Sequence, residues 1–108
     1  MDFKEAEQIL QIIRSSNLQG LSVLFLKSAV RYAQIRVDWY FADQEERIEL
    51  DKERTRAHEA LISNCNALAR NMKVSGEDDS WRKRLGDDRK RIGDFACYIH
   101  AIIGIDVR

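Results

Sequence analysis

The chain has 108 residues, with eighteen Lys or Arg against eighteen Asp or Glu, five Gly, two Cys and no Pro. That length suits a single domain of ~100–150 residues, and an apolar share of 44% supplies a core and excludes a disordered chain. The zero net charge argues against a dedicated nucleic-acid or membrane-surface protein, which carries an excess of Lys and Arg.

No stretch approaches the ~18 uninterrupted apolar residues of a membrane span. The first residues, Met1-Asp2-Phe3-Lys4-Glu5, are acidic where a secretory signal has a basic region followed by an apolar run. Cys65 and Cys97 sit inside apolar-periodic segments, which reads as reduced core thiols in a cytoplasmic protein. Phosphate-binding glycine loops, a nucleophile elbow and a His-Glu-x-x-His pair are all missing from the sequence.

The spacing of apolar residues predicts helices. Segment one covers residues 2–16, with Phe3, Ala6, Ile9, Leu10, Ile12 and Ile13 on one stripe. Asp2 suits its N-cap, and residues 17–20 supply a break. Segment two covers residues 21–41. Lys27, Arg31, Gln34 and Asp38 form its only polar stripe, and the rest is apolar over an arc of roughly 260°. Such a helix is either the centre of the fold or shared with a second subunit.

Segment three covers residues 43–73. Its first half pairs Asp43 with Arg47, Glu49 with Lys52, Asp51 with Arg54 and Glu53 with Arg56, the pattern of a solvated helix face. Its second half carries a core stripe of Ala57, Leu61, Cys65, Leu68 and Met72, stopped by Ser75-Gly76. Whether segments two and three are separate or one rod bent at Ala42-Asp43 stays open. Ser80 or Asp79 could cap a short turn over residues 81–85. Segment four covers residues 87–103, with Asp87 and Asp88 at its positive end and Gly104 at its terminus. Its stripe is Ile92, Phe95, Ala96, Ile99, Ile102 and Ile103. The sum is an all-α compact bundle of four main helices, one domain over residues 1–108.

Polar residues interrupt these stripes. Arg36, Arg54 and His58 fall on apolar faces, with Asp51, Asp88 and Asp94 as candidate carboxylate partners. They read as a buried ion pair fixing helix register, or as a small-molecule or anion pocket of Arg36, Arg54, His58 and Asp94. Snorkelling arginine stems are the third reading. Asn64 and Asn66, poor helix formers, suggest hydrogen bonds to a neighbouring loop. Gly93, Cys97 and Ala101 lie four apart, beside a row of Ala96, His100 and Gly104. That small-residue side suits close helix packing, either within the chain or as a seam between subunits.

Two Cys and two His are the inventory of a zinc site, but the spacing opposes one. His58 and Cys65 are seven apart, ~10.5 Å along a helix, too far for one tetrahedral ion. Neither thiol has neighbours that would activate a nucleophile. The sequence thus implies no metal, cofactor or catalytic residue. Arg82, Lys83, Arg84, Arg89, Lys90 and Arg91 put six cations in ten positions beside Trp81, a candidate nucleic-acid contact. Glu77, Asp78, Asp79, Asp87 and Asp88 dilute that field, which then reads as a solvated helix start.

The run Arg54-Thr55-Arg56-Ala57-His58 with Asn64, Asn66 and Arg70, the run Leu85-Gly86-Asp87-Asp88-Arg89 continuing to Ile92-Gly93-Asp94-Phe95-Ala96, and the ending Gly104-Ile105-Asp106-Val107-Arg108 carry a resemblance. Over about half to two-thirds of the chain they resemble a family of small bacterial proteins of unknown function. The resemblance implies an all-helical, cytoplasmic, bacterial protein and transfers no activity. The sequence therefore points to a non-enzymatic interaction or assembly module, a homodimer without membrane contact. Nucleic-acid association through residues 82–91 and ligand binding at the Arg/His cluster are the alternatives.

Overall fold

A computed structural model describes residues 1–86 and 89–107, with side chains for all of these except residues 89 and 104–107. Five helices follow one another: α1 (Phe3–Arg14), α2 (Gln19–Phe41), α3 (Gln44–Val74), α4 (Trp81–Leu85) and α5 (Arg89–Val107). No strand occurs among the described residues. The all-α bundle expected from periodicity is the fold observed.

Much of the apolar breadth of the second segment is used within one chain, while Val23, Leu24 and Val37 stay exposed. α2 packs along α3 on one flank and along α5 on another. Phe25 sits at the centre, stacked on Trp81 at 5.9 Å and on Phe95 at 6.0 Å. Ile9 and Ile13 of α1, Leu61, Leu68 and Met72 of α3, and Ile92 and Ile99 of α5 close the same core. Fully burying each such side chain contributes about 1.5–3 kcal/mol. The expected polar stripe of Lys27, Arg31 and Asp38 faces out, and Gln34 is half-buried. Gln34 donates to Asp38 and meets the His100 ring at 2.8 Å.

Local chemistry sets the boundaries. Asp2 caps α1 by accepting the Glu5 N–H, and Asp43 caps α3 by accepting the Glu46 N–H. Between α1 and α2, Ser16 Oγ accepts the Leu18 N–H and Ser22 Oγ donates to the Ile13 carbonyl. These bonds let α2 begin at Gln19, so Gly20 lies inside the helix and not in the break. Ala42 and Asp43 are extended, so α2 and α3 are two helices. Gly76 takes a positive φ of 82° after α3, and the Glu77 N–H closes back onto the Met72 carbonyl.

Other expectations are corrected. Ser80 makes no side-chain cap on α4; its N–H instead donates to Asp78 Oδ1. That bond, with a further one from the Ser80 side chain, holds the Asp78 carboxyl below its ordinary value of 3.8. α5 does not stop at Gly104 but continues to Val107. Asp87 and Asp88, expected to open that helix, lie outside the described residues. Phe3 leaves the α1 core stripe for the surface, where its ring meets Tyr98 edge-on at 5.2 Å.

The hairpin of α2 and α3 outruns the core. The molecule measures 47 × 24 × 23 Å, and a helix of 31 residues, the length of α3, extends ~46 Å at 1.5 Å per residue. The last buried residue of α2 is Ile35 and the first of α3 is Ala57. What holds the intervening end is Arg47. It donates to the Trp39 and Tyr40 carbonyls at 3.0 and 3.2 Å in the last turn of α2, the Trp39 carbonyl also accepting the Ala42 N–H. Its guanidinium also stacks 4.3 Å over the Trp39 ring, with Arg54 at 5.1 Å. The expected Asp43/Arg47 ion pair is replaced by these contacts, whereas Glu49–Lys52 and Asp51–Arg54 pair at 3.5 and 2.9 Å.

Arg47→Met removes both carbonyl bonds and the stack together. It should lower unfolding free energy by about 1–2 kcal/mol in denaturant titration. Amide exchange should quicken across residues 38–50 before it changes around Phe25. Uniform quickening would show that the hairpin end is not locally held by Arg47.

Candidate functional site

The proposed Arg/His pocket does not assemble. Arg36, expected to be buried, is exposed. Its Cζ lies 5.9 Å from the Tyr32 ring centroid, and Nη1 is 3.9 Å from Cys97 Sγ. Its guanidinium lies at the edge of the core, over Gly93 and beside Tyr32, where its charge stays in reach of water. Arg54 is half-buried, stacked on Trp39 and paired with Asp51. His58 is half-buried with its ring 5.6 Å from that of Tyr32. Asp94 accepts from the Met1 ammonium at 3.4 Å. Tyr32 therefore touches Arg36 and His58, while Arg54 and Asp94 answer other partners. Asp88, the remaining carboxylate candidate, lies outside the described residues.

The basic cluster is mostly structural. Trp81 is fully buried and cannot serve as a stacking platform, because its ring fills the core against Phe25. Arg82 donates to Asn66 Oδ1 at 2.9 Å and to the Gly86 carbonyl at 2.8 Å. Asn66 thus bonds to the neighbouring α4, close to the loop partner expected for it. Arg84 reaches Gln8 at 3.0 Å and Glu5 at 3.7 Å. Arg91 reaches Glu5 at 2.7 Å and the Arg84 carbonyl at 2.9 Å. These arginines tie α4 and α5 to α1 and α3. Lys83 and Lys90 remain exposed, and the Arg89 side chain lies outside the described residues.

The small-residue row is divided. Gly93 is buried, and a Cβ there would stand 2.6 Å from Arg36 Nη1. The glycine accommodates a guanidinium of its own chain. Cys97 and Ala101 are exposed, so Cys97 is not the core thiol expected; Cys65 is. Ala96 of the parallel row is buried and His100 is half-buried. Among the described residues no group of three His, Cys, Asp or Glu side chains could hold a metal ion, and no helix is long and apolar enough to cross a membrane.

What sequence reasoning missed is the open end of the α2–α3 hairpin. Tyr40 and Phe41 are 72% and 80% exposed, packed edge to face at 5.4 Å, and Ile48 on α3 is 62% exposed. A groove between the two helices is lined by Phe41 and Leu50 together with Asp38, Glu45, Glu46 and Glu49. The signal was present in the sequence, since Tyr40 and Phe41 end an apolar helix just before a run dense in charge. It was masked because an apolar helix end reads as core unless the length of the covering helices is known. Single exposed apolar residues are ordinary, whereas adjacent exposed aromatics beside a groove mark interaction surfaces.

Comparison of the chain with protein-family models, with curated proteins and with solved structures finds no match in any of the three.

Gly93→Ala distinguishes the two uses of the small-residue row. The guanidinium is the far end of a flexible side chain and can swing outward, while Ala improves a helix interior by up to about 1 kcal/mol. Thermal unfolding should therefore show an unchanged or raised midpoint. A large loss of stability, or a shift in sedimentation coefficient relative to wild type, would show that Gly93 contacts something besides Arg36.

Proposed function

We propose that this protein is a non-enzymatic helical module that docks a helical segment of another protein on the open end of its α2–α3 hairpin. The observation that carries the reading is the exposure of Tyr40 and Phe41 beside an unfilled groove. Aromatic side chains are the usual anchors of interfaces, because they offer large apolar area with little rotamer entropy to lose. The groove lies between two antiparallel helices, a form that a third helix fills by laying its ridges between theirs.

Self-association as a homodimer is the weaker form of the reading. Much of the breadth of α2 that suggested it is covered by α3 and α5, which leaves Val23, Leu24 and Val37 exposed outside the hairpin end. Nucleic-acid association loses its aromatic platform in the buried Trp81 and has much of its basic charge engaged by Glu5, Asn66 and backbone carbonyls. The family resemblance in the sequence supports a cytoplasmic bacterial setting for the docking role.

Selection of helical peptides from a displayed library against the full chain tests this. Binders recovered on wild type should lose about tenfold or more in affinity for Phe41→Ser, the scale of one interface anchor. They should be unaffected by Val74→Ser, which alters an equally exposed apolar residue at the end of α3. Both substitutions lie on the surface and should shift stability by less than about 0.5 kcal/mol. Binders indifferent to Phe41 would overturn the reading.

A further inference from the structure

The groove beside Phe41 is charged in one sense. Four of its lining residues, Asp38, Glu45, Glu46 and Glu49, are carboxylates, and no Lys or Arg is among the described residues lining it. Between residues 38 and 50 the chain carries five acidic residues against one cation, Arg47. Arg47 keeps its charge near the rim but forms no ion pair with it, its guanidinium being turned to the Trp39 and Tyr40 carbonyls and the indole face. Lys52 offsets Glu49 through a pair at 3.5 Å, but both side chains are mostly exposed and the contact is screened. Asp38 accepts one bond from the neutral Gln34 amide. Apolar contact is offered between the carboxylates by Phe41 and Leu50.

On the docking reading above, we propose that the occupant is a basic amphipathic helix. Its apolar face would lie on Phe41 and Leu50, and its Lys or Arg side chains would meet the carboxylate rim. Charge complementarity selects this occupant over the others. A second copy placed here by two-fold symmetry would set four carboxylates against four, an arrangement that like charges oppose. A phosphate backbone or an anionic membrane surface meets the same repulsion. An acidic or uncharged helix could use the apolar floor but would leave the rim unanswered. Opposite charge on the partner also speeds encounter, and that gain falls with ionic strength.

The test uses the full chain and two labelled probes, an amphipathic Leu/Lys helix and a Leu/Glu helix of the same spacing. Affinity is read by fluorescence anisotropy and location by amide chemical shifts. The Leu/Lys helix should bind saturably, weaken as salt rises, and shift resonances within residues 38–50. The Leu/Glu helix should bind about tenfold more weakly or worse. Glu45→Gln/Glu46→Gln/Glu49→Gln should erase most of that preference, and Phe41→Ser should weaken the Leu/Lys helix about tenfold. Equal affinity for both probes, each sensitive to Phe41→Ser, would overturn the basic occupant and leave the docking reading standing. Leu/Lys binding that ignores Phe41→Ser would be diffuse attraction and would overturn the proposal. If neither probe shifts the hairpin end, the proposal and the docking reading both fall. A concentration-dependent dimer that Phe41→Ser abolishes would assign the groove to a second copy and overturn the basic occupant.

Discussion

Every part of this fold answers to one constraint, the need of α2 for cover on more than one side. A helix whose apolar arc is far wider than a surface helix requires cannot be satisfied by a single neighbour. The chain meets the demand by returning along α2 twice, first as α3 and then as α5. Phe25 marks the crossing of those demands, held between Trp81 and Phe95. The short α4 exists in this frame to deliver Trp81 and Leu85, both fully buried, into the space between α2 and α3. The cations on α4 follow from that placement. With Trp81 and Leu85 turned inward, Arg82 and Arg84 are left at the margin, where they reach acceptors on the neighbouring helices.

The two returns along α2 have unequal lengths, and the difference makes the candidate site. α3 spans the whole long axis of the molecule, but its first thirteen residues precede its first buried side chain, Ala57. The hairpin end is therefore stabilised by surface chemistry alone. Trp39 is the pivot, with Arg47 and Arg54 stacked on it and Arg47 closing the carbonyls of the turn. Regions with few buried apolar contacts sit at the low end of local stability and are where adaptable binding surfaces arise. An apolar helix end that overshoots its cover must either meet water or meet a partner, and burial of two adjacent aromatics rewards the second.

The fold was largely legible because periodicity is a one-dimensional signal. The stripes on α1, α3 and α5 name the core almost residue by residue, as Ile9, Leu61 and Phe95 illustrate. The Asp2 cap was readable from its residue type, whereas the break at Ala42-Asp43 stayed open in the sequence because Asp43, the cap of α3, also suited an ion pair within one rod. The site was not legible, because it depends on which part of a stripe is covered, and cover is a three-dimensional quantity. Arg36 has the phase of a core residue yet is exposed, its guanidinium lying at the edge of the core over Gly93 and Tyr32. Trp81 adjoins a run of cations yet is the largest of the fully buried side chains, since a five-residue helix must bury something to be held at all. Gly93 and Cys97 share a helix face and meet the same Arg36 guanidinium, yet Gly93 is buried beneath it and Cys97 is exposed.

Formal neutrality hides a separation of charge by role. Several arginines of this chain are drawn into its own contacts. Arg47 and Arg54 lie on an indole; Arg82, Arg84 and Arg91 hold carbonyl, amide and carboxylate acceptors across helices. Arginine suits that work because its planar fork bonds and stacks at once. At the hairpin end Asp43 caps α3, Asp38 accepts from Gln34 and Glu49 meets the exposed Lys52. Glu45 and Glu46 sit in the first turn of α3, where the helix dipole favours them but leaves their oxygens facing water. The groove is therefore acidic even though the sum over the chain is zero. Net charge governs long-range solubility, whereas the field inside a groove within a Debye length of its walls is set by the side chains that line it.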